Sequence, residues 1–485
     1  MGMLKKTVKT NKEVVSSLSD ELGIPDEKIP ILVEKMLQNN KARDKLFRAL
    51  GEFFGRRSFL EALVAGGVIA TGLASARTVI TDRNIQITDP DTGLEWYLRT
   101  PLPFSAIVGI EDGKVKAYDW KGNLIAKGEA GVDDAEVIKK ASDSLTAGRT
   151  WKEKVVLKGN FSLNDEIQVP SYTTLVVDGK LESTVDKPVL TIIDREHVDI
   201  ICGVVKSSGL GDNSYGIFVG ASSDVLIFKP EVTNFRKPGI CVVGVDLAGN
   251  FIRNSERITL FEPYIHDGIQ VAGADGIYMI AQNSDIVRPR IENITQESGI
   301  AISGNPQKDS SYISKHIKID HPYLYNTGAI YLANNGYDID IIKPTIINSI
   351  SYGIRTGYTS LGTAGMTDVR VYGGLIENPA EDGVKLEYGS NWKFFGTKVK
   401  GAGGAGFNVL QDYNEFYGVT AEGCSLHGLW LNYGSHNRVF GGLYKDNGGW
   451  GIKEVNADYN IIERPICINN TEGCVDLVGT NSVLE

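Results

Sequence analysis

The chain has 485 residues, 42% of them hydrophobic, with a net charge of −10 and a pI near 5.3. Length and apolar content are those of a folded globular protein with a large core, and the acidic balance argues against nucleic acid as the main partner, since binding phosphates needs a basic face. The five cysteines (Cys202, Cys241, Cys424, Cys467, Cys474) contain no C-x-x-C pair, so they read as core or turn residues rather than a zinc or redox motif, with a Cys467–Cys474 bridge left open.

Residues 1–55 are rich in Lys, Glu and Leu, and the stretch PDEKIPILVEKMLQNNKARDKLFRALGEFF spaces its apolar residues at helical intervals. This predicts a helical N-terminal segment. Residues 56–76 follow within GRRSFLEALVAGGVIATGLASA. Arg56-Arg57, then Ser58, Phe59 and Leu60, a mildly apolar run and a closing Ala74-Ser75-Ala76 resemble a twin-arginine export signal. The long preceding region and Glu61 depart from that pattern. The resemblance implies export to the cell surface or the extracellular space, with membrane attachment if the signal is retained. The apolar run Leu63–Ala76 is 14 residues, short for a full span. Residues 77–130 read as a small β-rich domain, because GIEDGKVKAYDWKGNLIAKG sets Asp-Gly and Lys-Gly-Asn turns between alternating strands.

From residue 131 the pattern changes. GVDDAEVIKKASDSL reads as a loop feeding an amphipathic helix, and KEKVVLKGNFSLNDEIQVPSYTTLVVDGKL as short strands punctuated by Gly, Asn and Pro. Together they resemble the entry segment of the pectate-lyase-like family, closely over residues 131–181 and generically beyond. The fold this implies is all-β: a right-handed parallel β-helix over 131–485 with a capping helix. That family holds lyases, hydrolases, epimerases and non-catalytic spikes, so the resemblance implies no one activity.

The rest of the chain repeats one phrase: a short apolar run, an Asn or Asp, then Gly opening a second run. Aligned on that Gly, residues 239, 276, 299, 328, 353, 383, 406, 428, 451 and 473 follow at separations of 22 to 37, with 22 or 23 recurring. Such a basal period with insertions is that of stacked coils. The amide or carboxylate positions Asn234, Asp267, Asn293, Asn326, Asn348, Asn378, Asp446 and Asn470 predict a ladder, since Asn tolerates a left-handed turn and its amide reaches the next coil.

Strand alternation separates inside from outside. In Gly353-Ile354-Arg355 the Ile faces in and Arg355 out, and Lys385, Asn408, Trp430 and Lys453 are its equivalents downstream. At about 4.8 Å per rung these five form a stripe of roughly 19 Å. Cations with an aromatic suit an acidic polysaccharide, whose rings stack on Trp and whose carboxylates or sulfates pair with Lys and Arg. A second outward column, Glu377, Lys400, Glu422 and Lys445, alternates in sign and reads as a ladder of cross-strand ion pairs.

A catalytic set is not complete. Of the motifs of polygalacturonase-like enzymes, Ser425–Gly428 (SLHG) and Gly451–Lys453 (GIK) are partial echoes, and the acidic pair is missing from the expected rungs. A lyase would need a basic residue near the sugar and carboxylates, with Ca2+ as the cofactor if it is of the calcium-dependent kind. Arg355, Lys385, Glu377 and Asp382 are the catalytic candidates by register. Two readings stay open: a surface-displayed, spike-like polysaccharide-binding rod, for which a homotrimer is an open arrangement, or a polysaccharide lyase or glycoside hydrolase using the same groove.

Overall fold

The computed structural model describes residues 104–485 apart from 210, 270 and 358–364, together with the strands Arg77–Ile80, Ile85–Thr88 and Glu95–Leu98. The helical segment and the export signal expected over residues 1–76 lie outside the described residues. The chain divides into two compact units between Pro103 and Phe104. In the first, the three strands pair antiparallel in chain order.

The second unit is a parallel solenoid. Each coil contributes one strand to each of three sheets. Sheet I has 13 strands, from Ile167–Gln168 to Gly473–Asp476. A typical coil runs from Ile354–Gly357 in sheet I to Met366–Tyr372 in sheet II and Leu375–Glu377 in sheet III, then returns to sheet I at Val384–Leu386. Ile354, Val384, Phe407, Leu429 and Ile452 are fully buried and stack through the centre, so a coil too thin to bury its own apolar face shares one long core with its neighbours.

Residues 104–130 belong to this unit, which corrects the small domain expected over 77–130. The hairpin strands are present at Ala106–Glu111, Lys114–Asp119 and Leu124–Glu129, but the first pairs parallel with Glu153–Leu163 of the first coil. The helix α1 (Asp134–Asp143) lies beside them and buries Ala135, Val137, Ile138 and Ala141. Asp134, the second Asp of GVDD, is fully buried. Its carboxylate accepts from the Gly131 N–H at 2.9 Å and the Ser162 N–H at 2.8 Å, tying the helix start to the first coil. The motif is a structural clasp.

The recurring Gly has a steric cause. A Cβ on Gly406 would stand 2.4 Å from the Gly428 carbonyl oxygen, and one on Gly383 2.3 Å from Val399 Cγ1; successive coils approach too closely there for any side chain. The polar ladder is also present. Asn293 Nδ2 donates to Asp267 Oδ1 (3.0 Å), Asn326 Nδ2 to Asn293 Oδ1 (2.9 Å) and Asn378 Nδ2 to Asn348 Oδ1 (3.3 Å). In the last coil the left-handed position is Asn469 (φ 53°), not Asn470. Asn470 instead joins an inner ladder, accepting at Oδ1 from Asn447 Nδ2 (2.8 Å). A second inner ladder, unseen in the sequence, runs through buried Asn414, Asn437 and Asn460, each side-chain oxygen capping a backbone N–H of the coil before. The fully buried Glu454 is satisfied by Asn460 Nδ2, Ser482 Oγ and the N–H groups of Val478 and Gly479, as a buried carboxylate must be.

Coil corners differ in length. Between sheets II and III the corner is two residues in every coil from Phe228/Glu231 to Glu463/Ile466. The longer excursions, residues 244–254, 267–276 and 303–313, all lie at the two corners flanking sheet I.

Candidate functional site

Sheet I carries an outward column whose members pair coil to coil: Tyr278, Ala301, Tyr331, Arg355, Lys385, Asn408, Trp430, Lys453 and Asp476. The five residues of the expected stripe therefore stand in one register. Arg355, Lys385, Trp430 and Lys453 are half-buried, and Asn408 is buried.

The cations of the stripe are paired within the chain. Arg355 Nη2 lies 3.0 Å and Lys385 Nζ 2.9 Å from the two oxygens of Glu387, and Lys453 pairs with Asp476. Burial opposes ionisation of Glu387, but the Lys385 hydrogen bond and the nearby Arg355 charge outweigh it and hold the carboxyl below its ordinary value. The Arg355 guanidinium also lies over the Tyr352 ring at 4.9 Å and the Tyr331 ring at 5.8 Å, and Lys385 Nζ over Tyr352 at 5.0 Å. The result is an Arg–Glu–Lys triad framed by two tyrosines, carrying donors and acceptors together. Such a surface suits hydroxyl groups; an anion would first have to displace Glu387.

Of the four catalytic candidates, Arg355, Lys385 and Asp382 come together and Glu377 does not. Asp382 accepts at Oδ1 from the Ala405 N–H (2.7 Å) and at Oδ2 from Asn408 Nδ2 (3.0 Å). Burial pushes its carboxyl up despite those bonds and the Lys385 charge. Glu377 lies in sheet III, where it pairs with Lys400 at 3.0 Å. It belongs to the expected ion-pair ladder, continued by Lys445 and Glu422 at 3.5 Å. The His of SLHG, His427, is a structural neighbour of Trp430: its Nδ1 accepts from the Trp450 N–H (3.0 Å), its ring meets Trp430 edge-on at 5.5 Å, and burial lowers its pKa. Two polar atoms of the column, Asn408 Oδ1 and Trp430 Nε1, are buried without a hydrogen-bond partner within the chain.

Two clefts adjoin the column at its N-terminal end. One, of about 300 Å³, is lined by Glu297, Tyr331, Ile350 and Arg355 among others. The other, of about 280 Å³, is lined by Phe218, Cys241, Asp275 and Tyr278 and walled by Val245, Asp246 and Leu247 of the 244–254 excursion. Asp275 occupies the position before the repeating Gly, as Asp382 does. Its Oδ1 accepts from the Ser298 N–H (3.1 Å), and burial, reinforced by Glu297, raises its carboxyl to about 7. Glu387 was within reach of sequence reasoning, since it stands two residues past Lys385 on the same side. Asp275 lies in the 37-residue interval from Gly239 to Gly276 that marks the insertion, but neither it nor Glu297 carried a sequence signal of its own. The insertion before Glu377, TGYTSLGTAGM, has its centre, residues 358–364, outside the described residues.

Residues 361–485 match the family model described as the right handed beta helix region. The fold is a right-handed parallel β-helix. Among solved structures, a double-mutant tailspike protein of E. coli bacteriophage HK620 is similar over 76% of this chain and 79% of its own, at 10% identity and a TM-score of 0.51. A polygalacturonase from Erwinia carotovora ssp. carotovora (75% and 95% covered, 11% identity, TM-score 0.46) and the A-module of a mannuronan C-5 epimerase from Azotobacter vinelandii (73% and 97%, 12% identity, TM-score 0.40) are also similar. At such identities the likeness is one of fold. No curated protein matches the chain in sequence. Among the described residues of the β-helix, no group of three or more His, Cys, Asp or Glu is arranged to hold a metal ion, and no helix is long and apolar enough to cross a membrane.

Proposed function

We propose that the β-helix binds a polysaccharide laid along sheet I, with Trp430 and Tyr331 as apolar platforms and the Arg355–Glu387–Lys385 triad as hydroxyl partners. The observation that carries this reading is the column itself: half-buried aromatics and a triad of paired charges in one register on the coils of one sheet. The acidic glycan suggested by the cations gives way here to a neutral or weakly charged one, because each cation already has a carboxylate. The same reading has the rod exported and displayed, supported by the Arg56-Arg57 segment and by the Cys467–Cys474 disulfide of the last coil, a bond at home in oxidising compartments.

Glycan binding by calorimetry or array tests this. Trp430→Ala should weaken binding about tenfold or more at every ionic strength, since loss of a stacking platform of 1.4 kcal/mol is a factor of ten and is not screened. Glu387→Gln separates the ligand classes. It should weaken a neutral glycan, which loses a charged acceptor, whereas an acidic glycan would bind more tightly to the two freed cations. Indifference to both substitutions in folded protein would reject the column as a site.

A hydrolase is favoured by one observation, the buried Asp275 carboxyl at the clefts, with its pKa raised by burial and by the neighbouring Glu297. Glycoside cleavage uses two carboxyls, one of them held protonated as the acid. Release of reducing ends that is lost in Asp275→Asn would support it; intact glycan recovered after prolonged incubation would leave binding alone.

A further inference from the structure

The outer side of sheet II carries a column that the glycan reading does not use. Ile201, Phe228, Phe261, Val287, Ile342, Tyr372, Phe395, Tyr417 and Phe440 occupy one register position on successive coils, interrupted once by Asp320. From Tyr372 to Phe440 the rings stack on one another at 5.1, 5.0 and 4.8 Å with interplanar angles of 9° or less. Their faces are spent on each other and their edges point outward, so a sugar ring finds no face to lie on. Immediately after each ring comes the two-residue corner to sheet III. In the earlier coils its first position holds Lys229, Glu262, Arg288, His321 and Lys343, all left-handed. In the four coils of the ring stack it is Gly373, Gly396, Gly418 and Gly441, and a Cβ on any of the last three would meet nothing within 4 Å. Over this stretch the ridge loses its charged side chains where the aromatic edges are continuous.

We infer that this ridge is where a second copy of the chain packs side by side. The occupant follows from shape and size. The column spans nine inter-coil steps of about 4.8 Å, roughly 43 Å, and a band about 20 Å wide along it matches the roughly 800 Å² per partner of a stable interface. A straight band of that length and period is matched by another rod of the same period, whereas a rounded partner would touch a few coils. Flanking charges are paired along the ridge, Lys393 with Glu415 at 3.0 Å and Lys398 with Glu422 at 2.9 Å, which lessens repulsion between like copies. Packing there leaves sheet I open.

The test is sedimentation velocity of the full chain over a range of concentration, with the double variant Gly418→Lys, Gly441→Lys. Lys343 and Arg464 already adopt φ 46° at equivalent corners, so the backbone accepts the change while the new side chains hold a neighbour off. The natural chain should associate, and the variant should need at least about tenfold more protein to do so, with its circular dichroism and melting unchanged. Should that variant fail to fold, Tyr417→Gln, which removes one ring edge and leaves the core, is read in the same way. A natural chain that stays monomeric at high concentration, or association unaltered in folded variants, overturns the proposal; the second result would place the contact elsewhere on the chain.

Discussion

Phe416→Ala should destabilise the rod by about 4 kcal/mol and do so locally. Phe416 is fully buried, stacks on Phe394 at 5.3 Å and 3°, and meets Phe407 edge-on at 5.8 Å. Truncating a buried Phe costs about 3–5 kcal/mol through lost transfer energy and the residual cavity, and two aromatic pairs add roughly 0.5–1.5 kcal/mol each. Because each coil contacts only its neighbours, the loss should stay with the coils above and below. Hydrogen exchange should accelerate at Lys393–Phe395, Glu415–Tyr417 and Arg438–Phe440, which pair strand to strand, and remain slow at Leu190–Ile193. Loss of protection spread evenly along the rod would show that the coils do not act as nearest-neighbour units.

The second large effect concerns pH. Asp275 is almost fully buried and its carboxyl is raised from the ordinary 3.8 to about 7, chiefly by burial and further by Glu297. Tyr278 and Cys241 line the same cleft. Between these two values the folded chain holds a proton that the unfolded chain has released, so this residue's contribution weakens stability as pH rises from about 4 to 7. Asp275→Asn keeps an acceptor for the Ser298 N–H and removes the titration. The variant should match the natural protein near pH 4 and exceed it above pH 7, by up to about 4 kcal/mol if three units are converted at 1.4 kcal/mol each. Denaturant unfolding at the two pH values decides it; a variant less stable at pH 8 would mean that Asp275 is ionised and that its charge is compensated in the fold.

The sheet I stripe was legible because its register is anchored by a Gly that no other residue can replace, and alternation on a three-residue strand leaves little room for error. The paired state of Arg355 and Lys385 was not, since it depends on how far Glu387 reaches back. Glu377 misled for a different reason: eight positions before Lys385 in sequence, it lies across the corner at Asn378, on another sheet. Residues 104–130 showed their hairpin turns, but the parallel pairing of Ala106 with Val155 is non-local and invisible to a local pattern. The ring column of sheet II was available as the separations 23, 22 and 23 from Tyr372 to Phe440, the same interval as the ion-pair ladder beside it. Clefts formed by excursions carry no such period, and Asp275 therefore had no signal of its burial.

The unequal corners have a consequence for how such a molecule changes. The corner between sheets II and III keeps its two residues in every coil from Phe228/Glu231 to Glu463/Ile466. Beside sheet I, residues 244–254 and 303–313 leave the stack and rejoin it with the period intact, and closing a longer loop costs little extra free energy. Whatever sheet I recognises can thus be altered by exchanging loops along its rims, with the rod and the ridge on its other side left as they are. Transplanting the 244–254 excursion onto the short corner after Ala333 would move the cleft it walls along the column by whole rungs, turning ligand choice into a matter of where the loop is attached.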